Sequence, residues 1–390
     1  MKVTQVENGV PIFSWATDVD TKTYQQAINL ATHPKVFKHV ALMPDTHFGM
    51  GMPIGGVIAC KDAVIPNACG VDIGCGMLFY RTNLDAEAVL PVLPEIIAQI
   101  EQNIPVGFKG HKLPKKNKLY KDLPETIDKV ELEKSRYQLG TLGGGNHFIE
   151  IQKDTNNKVC IMIHSGSRHL GYSIANKYNR LAITLNKLWE TNLPTNSLNG
   201  LNFLPTNTEE GRNYLIEMNF ALNFAKENRD KMFKEVSIIL SKAFPKVEFE
   251  DYTNIHHNYT SHENHFGKNV WVHRKGATLA SKGTFGLIPG SMGTKSYRVR
   301  GLGNYKSFNS CSHGAGRLMG RKEFNRTHSV AECNATIENV VYSGWSKDRK
   351  GNVDLSESPM AYKDIDTVMA NQIDLVEIVD TLTPLGVVKG

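Results

Sequence analysis

The sequence predicts a mixed α+β chain folded as one intertwined domain, residues 1–390, and three observations predict it. Apolar residues recur at helical spacing in three stretches, short apolar runs bounded by glycine and proline read as strands elsewhere, and no repeat, linker or low-complexity segment divides the 390 residues. Length alone would allow two or three domains. With 41% hydrophobic and 22% charged residues the chain has an ordinary globular composition, and a net charge of +6 spread over this length tilts only slightly towards anionic partners. Cys60, Cys69, Cys75, Cys160, Cys311 and Cys333 lack CxxC spacing, which argues against a zinc finger or a small disulfide framework and suits a reducing cytosol. The start, Met1-Lys2-Val3-Thr4, has no apolar signal core, and no run of about 18 apolar residues occurs, so the expectation is a soluble cytoplasmic protein with no membrane partner.

Taken in order, residues 24–31 carry the first helical pattern. Val40-Ala41-Leu42-Met43-Pro44 is a short strand leading into Asp45 and His47, which serve either a site or the backbone bonds of a turn. Residues 85–103 place Ala88, Val89, Leu93, Ile96, Ile97 and Ile100 on one face and predict a core-facing helix. Residues 109–121 form the most basic run; a solvated loop is the default reading, and a flexible contact to a phosphate backbone the sharper one. The glycine-rich turn at 139–145 feeds an apolar strand, and its N–H groups can cradle a phosphate, although no GxxxxGK[ST] is present. Val159 to Ile163 reads as a buried strand, with His164 at its C-terminal end as a ligand candidate and Arg168 just beyond as a phosphate-binding candidate. Across 208–243 the stripe Tyr214, Met218, Leu222, Ala225, Met232, Val236 and Leu240 is core, while Asn223, Asn228 and Arg229 on the same helix could face an active site. Of the neighbours His256 and His257, only one can point into a given site from an extended segment. Leu287-Ile288 leads into a hydroxyl-rich turn that lacks G-x-S-x-G spacing, so Ser291 is a poor nucleophile candidate. His313, between Ser312 and Gly314-Ala315-Gly316, has small neighbours that clear room for a bulky partner at an imidazole nitrogen, and Arg317 can hold a phosphate beside it.

The chemistry gathers around Gly70-Val71-Asp72-Ile73-Gly74-Cys75-Gly76-Met77, where three glycines impose a turn and a carboxylate and a thiol three residues apart can converge on one point. Asp72, Cys75, His147, His164 and His257 are five ligand-type residues, more than one catalytic metal takes, so two ions sharing a thiolate become plausible. Residue types alone favour zinc.

GVDIGCGM at 70–77, LGGGNHFIE at 142–150, HSGSRHLG at 164–171, HHNY at 256–259, HRKGA at 273–277, IPGSMGTKS at 288–296, RGLGN at 300–304, SHGAGR at 312–317 and AYKDID at 361–366 resemble, in order, the motifs of the RtcB family of RNA-splicing ligases. The likeness runs from about residue 36 to Lys389. It implies mixed sheets around a central metal and nucleotide cleft, and two Mn(II) ions: Cys75 bridging, Asp72 and His147 on one, His164 and His257 on the other. It implies that His313 is guanylylated by GTP, and that Asn146, Phe148, Ile149, Glu150, Asn258, Pro289, Gly290, Ser291, Met292, Ser296, Gly314, Ala315, Gly316 and Lys389, with His147 and His257, bind the nucleotide. The implied reaction joins an RNA 3′-phosphate or 2′,3′-cyclic phosphate to a 5′-hydroxyl, in tRNA splicing or RNA repair, with or without an accessory activator protein. Met50 and Met52 stand where many members carry a lysine and smaller residues, and the basic run lies in a variable region. Two rivals use the same residues: a two-metal phosphatase or cyclic phosphodiesterase with water as nucleophile, and an RNA-binding module with a decayed site. Labelling of His313 by GTP separates the first, and the intact motif positions argue against the second.

Overall fold

The computed structural model describes residues 1–194, 200–347 and 351–390 and has a mixed α+β architecture with several sheets. The first main sheet runs Lys2–Thr4, Ile12–Ser14, Val36–His47, Ile54–Cys60, Lys268–Lys275, Asn258–His265 in space. Its neighbours are antiparallel except Ile12–Ser14 beside Val36–His47. The second runs Phe249–His256, Gly76–Asp85, Lys158–Ser165, Phe148–Lys153, Val376–Lys389, Ser296–Gly301, Phe285–Ile288, antiparallel throughout, with Val341–Tyr342 joined in parallel to Val376–Lys389. The outermost strands, Phe249–His256 and Phe285–Ile288, touch without a shared ladder, which curls this sheet nearly into a barrel. Each sheet mixes strands from distant parts of the chain.

One joint matters for the site. Phe249–His256 belongs to the second sheet and Asn258–His265 to the first, so His257 is the single residue at which the chain passes between them. Register brings the other ligand candidates to the same end of the second sheet: Met77 and Phe148 both pair with His164, and His256 pairs with Gly76. Phe148 also pairs with Lys389, which delivers the end of the chain to this rim.

The first helix is Thr21–Ala31, capped by Asp20, whose carboxylate accepts from the N–H groups of Lys22 and Thr23. The single helix expected at 85–103 is instead Ala86–Val89, a tighter turn at Leu90–Val92, and Leu93–Asn103. Pro91 and Pro94 explain the break: each lacks an N–H, and each disfavours helical backbone in the residue before it. Ile96, Ile97 and Ile100 are buried as the periodicity requires. Glu209–Ala243 is a 35-residue helix, about 50 Å long at 1.5 Å per residue, and its stripe of Tyr214, Met218, Ala225, Met232, Val236 and Leu240 is fully covered. Arg168–Leu188 is a second long helix, packed on it. Among the described residues no helix is long and apolar enough to cross a membrane. The basic run is largely exposed around one short turn, Lys118–Tyr120, where the Arg136 guanidinium covers the Tyr120 ring. Met50 is exposed, whereas Met52 is buried in the core beneath the first sheet.

Candidate active site and metal centre

Each ligand candidate is held by the backbone next to it. Cys75 ends the glycine turn at the mouth of Gly76–Asp85, His147 precedes Phe148–Lys153, and His164 lies in Lys158–Ser165. Glycine leaves room where these segments crowd: a Cβ on Gly166 would meet the Asp72 carboxylate unless that side chain moved, and Gly143, at φ +96°, leaves no room for a side chain beside Arg168 and the His147 ring.

The donor atoms converge. Cys75 Sγ is 3.4 Å from His147 Nε2 and 3.2 Å from His164 Nε2; Asp72 Oδ2 is 3.1 Å from His147 Nε2; His164 Nε2 is 3.4 Å from His257 Nε2. Cys75, His147 and His164 form a buried group able to hold a metal ion. A divalent ion bound to sulfur at about 2.3 Å and to nitrogen at about 2.0 Å in tetrahedral geometry would set such donors roughly 3.5 Å apart. Tautomers point the same way. His147 Nδ1 donates to the Leu142 carbonyl at 3.0 Å and His164 Nδ1 to the Asn146 carbonyl at 3.0 Å, so each neutral ring turns the bare Nε2 lone pair inward. A lone pair 3.1 Å from a carboxylate, and another 3.4 Å from an imidazole nitrogen, repel unless a cation lies between them. His257 adds a buried Nδ1 with no hydrogen-bond partner.

The electrostatics agree. Burial drives the imidazoles of His164 and His257 well below their ordinary value, so both are neutral and available as ligands. Burial, then the Asp72 charge, pushes the Cys75 thiol well up; a bound cation reverses that and draws out the thiolate. The donor set thus fits divalent metal on charge, tautomer and spacing.

Beside the cluster, the His313 ring packs edge-on against His257, centroids 4.7 Å apart, with Asp45 Oδ2 2.7 Å from His313 Nδ1. The His313 ring opens onto a cleft of about 290 Å³ lined by Asn146, Phe148, Glu150, the Pro289-Gly290-Ser291-Met292 turn, Gly314, Ala315, Gly316, Arg317 and Lys389. Most of the expected nucleotide residues therefore meet on one wall. Five do not line it: His147 and His257 stay in the donor cluster, Ile149 points into the core from the opposite face of its strand, Ser296 sits under the turn, accepting from Gly290 N at 3.3 Å, and Asn258 ties the Asp72 carbonyl to Gly276 N. Arg317 is in the cleft wall, bonded to the Ser356 carbonyl at 2.8 Å. Arg168 lies on the far side of the metal cluster, in a second hollow with Asp72, His147 and Gly144, where it donates to the Gly107 carbonyl at 2.6 Å. Of the adjacent imidazoles, His257 faces the cluster and His256 turns away to Arg229 and the Gly74 carbonyl.

Four cleft residues escaped the sequence reading. Glu357 accepts Lys389 Nζ at 3.0 Å, and its other oxygen is 3.1 Å from Arg321 and 3.3 Å from Arg317, with the Tyr362 hydroxyl 2.6 Å from the first. Burial would raise this carboxyl, and the Lys389 and Arg321 charges hold it down. The fourth is Ile54, on the wall near His47. Arg321 stands four residues after Arg317, a repeat that was visible; nothing in its surroundings singled out Glu357. On the opposite wall burial raises the Glu150 carboxyl to about 7, with the Lys389 charge and the Gln152 amide, 2.6 Å away, pulling it back.

The family described as tRNA-splicing ligase RtcB matches residues 26–129 and 111–390 of the chain. The RNA-splicing ligase RtcB of Escherichia coli (strain K12) is 41% identical over 407 residues, covering 97% of this chain and 97% of that protein. The tRNA-splicing ligase RtcB of Thermococcus kodakarensis is 32% identical over 95% of this chain and 91% of its own length, and the RNA-splicing ligase RtcB of Mycobacterium tuberculosis 31% identical over 94% and 100%. With matches this long at these identities, and its cleft lined by the residues that carry them, the chain belongs to the RtcB family of RNA-splicing ligases.

Proposed function

We propose that the whole chain, 1–390, works as one ligase domain that joins RNA 3′-phosphate or 2′,3′-cyclic phosphate ends to 5′-hydroxyl ends, using GTP and two Mn(II) ions. The observation that carries this reading is the 4.7 Å edge-on packing of His313 against His257, with His313 lining a cleft of about 290 Å³. A hydrolase needs a metal-held water there; it has no use for an imidazole anchored at Nδ1 with Nε2 free. In this reading Cys75 would be shared by both ions, Asp72 and His147 would complete one site and His164 and His257 the other. Mn(II) rests on family membership, since the sulfur and nitrogen donors by themselves prefer zinc. When bound, the ions neutralise charge on the phosphoryl oxygens.

His313 supplies the nucleophile. Its Nε2 forms a bond to the α-phosphorus of GTP while the bond to pyrophosphate breaks, and Asp45 stabilises the positive charge that develops on the ring. The RNA 3′-phosphate then takes the guanylyl group from His313, and the 5′-hydroxyl displaces GMP. Glu150 and Lys389 face the nucleotide from one wall, Phe148 and the Pro289 turn enclose it, and Arg317 and Arg168 are placed for phosphates on either side of the cluster. Six unpaired, buried thiols suit a reducing cytoplasm. Incubation with α-labelled GTP and Mn(II) tests the assignment. Wild type should carry the label and His313→Ala should not; a metal-loaded wild type that stays unlabelled would return the chain to the hydrolase class.

A further inference from the structure

Beneath the metal cluster the 35-residue helix Glu209–Ala243 contributes two adjacent, fully buried polar side chains, Asn228 and Arg229. Neither reaches the cleft. Arg229 donates from one terminal nitrogen to the Gly74 carbonyl at 3.0 Å and to the Ser165 carbonyl at 2.7 Å; its other terminal nitrogen is 3.2 Å from His256 Nδ1, and its Nε donates to Asn254 Oδ1 at 2.8 Å. Gly74, Ser165 and His256 are the sequence neighbours of Cys75, His164 and His257. One rigid fork therefore fixes the backbone beside two ligand candidates and the side chain beside a third.

Asn228 secures the fourth. Its carbonyl oxygen accepts from Gly140 N at 2.7 Å and Thr141 N at 3.1 Å, and its amide nitrogen donates to Thr141 O, Ser165 Oγ and Gly166 O at 3.1–3.2 Å. Ser165 Oγ donates onward to the Leu142 carbonyl at 2.7 Å, the same oxygen that orients the His147 ring. The Gly166 contact fixes the segment packed against the Asp72 carboxylate.

The hydrogen-bond partners of Arg229 are two carbonyls, an amide oxygen and an imidazole. A buried guanidinium whose bonds all end on neutral groups is costly unless anions lie nearby, and Cys75, Asp230, Tyr252 and Asp72 are the acidic groups whose charge acts on it. Asp230 is engaged by Lys226 at 3.0 Å, and Asp72 is the ionised ligand candidate whose charge also reaches the guanidinium. Burial pulls the guanidinium down to about 10, so it stays charged at neutral pH.

We propose that Asn228 and Arg229 are positioning residues of the metal centre: the helix holds the segments that carry Cys75, His147, His164 and His257 in binding geometry before any metal arrives. This rests on the metal reading above. The test is titration of metal-free wild type, Arg229→Lys, Arg229→Gln and Asn228→Ala with Co(II), reading affinity and the thiolate-to-cobalt absorption band, with circular dichroism and thermal melting of each metal-free protein alongside. Folded variants should bind about 10- to 100-fold more weakly, the range for loss of groups that orient metal ligands, and with a perturbed band. Arg229→Lys, which keeps the charge and loses the fork, should fall between wild type and Arg229→Gln. Should Arg229→Gln fail to fold, Arg229→Lys and Asn228→Ala carry the comparison. Folded variants with wild-type affinity and spectrum overturn the positioning role alone; a wild type that takes up no Co(II) overturns the metal reading and this proposal with it.

Discussion

A single oxygen of Asp45 holds His313 at three points: Oδ2 lies 2.7 Å from the ring Nδ1, 3.1 Å from the His313 backbone N–H nitrogen and 3.3 Å from that of Gly314. The carboxylate is fully buried. Burial alone would raise it, but the hydrogen bonds from His313 help hold it below the usual range. Asp45 thus fixes the tautomer with the proton on Nδ1 and leaves Nε2 as the reactive atom. Asp45→Asn keeps an acceptor and removes the charge. Transfer of label from GTP to His313 should slow by about 10²–10⁴, the span of a positioned acid or base. Bound metal, measured by elemental analysis, should not change. Wild-type labelling in this variant would show that the carboxylate only shapes the loop.

Cys75 is the one donor within reach of both halves of the cluster, so its removal discriminates a shared ligand from an independent one. Cys75→Ala removes a small, buried side chain and should leave the melting temperature of the metal-free protein within a few degrees. Both ions and all labelling should be lost. Full metal content in the folded variant would refute the bridging assignment.

Much of this centre was legible before the fold was known, and the reason is chemical. Thiol, imidazole and carboxylate next to glycine turns announce ligands wherever the chain folds, and Asp72, Cys75, His147, His164 and His257 all carried that signature. His257, over its neighbour His256, followed from strand alternation once the register was known. Distance along the chain hid the rest. Asp45 and His313 are 268 positions apart, and Asp45 read equally well as a turn former. Helix Arg168–Leu188 went unnoticed because the stretch that leads into it, HSGSRHLG at 164–171, read as chemistry; Arg168 itself has φ +59°, a conformation no helical pattern announces. Proline overrode an apolar stripe at Leu90–Val92.

Glu150 connects the cleft to pH. Its carboxyl is raised from 4.5 to about 7 by burial, and with a folded value above the unfolded one the protonated form is the stabilising form. That contribution is complete below about 4.5 and is lost as pH rises through 7. The ionised form, however, is the one that can accept N–H groups of a guanine. Metal-free protein should therefore lose roughly 2–3 kcal/mol of stability from this residue between acid and neutral pH, while GTP affinity climbs through pH 7. Glu150→Gln should flatten both dependences. Lys389→Met should move the GTP midpoint upward, because the ammonium lowers the carboxyl. Calorimetric titration with GTP across pH 6–8 checks the sign; affinity falling with pH would place guanine elsewhere.

Gly166→Ala offers the narrowest test of the two-ion arrangement. Gly166 has no positive φ, so alanine is conformationally acceptable there, and the added Cβ meets one thing first: the carboxylate of Asp72. The collision is with a side chain, so it should be relieved by Asp72 rotating away from His147, breaking the 3.1 Å approach between them. Nothing in that movement touches the 3.2 Å spacing of Cys75 to His164 or the 3.4 Å spacing of His164 to His257. One ion should consequently be lost or weakened at least about tenfold, as for other disturbed ligand shells, while the second stays. Elemental analysis after dialysis would read close to one metal per chain in place of two. If both ions leave together, the sites depend on each other more tightly than Cys75 sharing requires. If both remain, Asp72 is not a ligand, and the partner of His147 must be sought elsewhere.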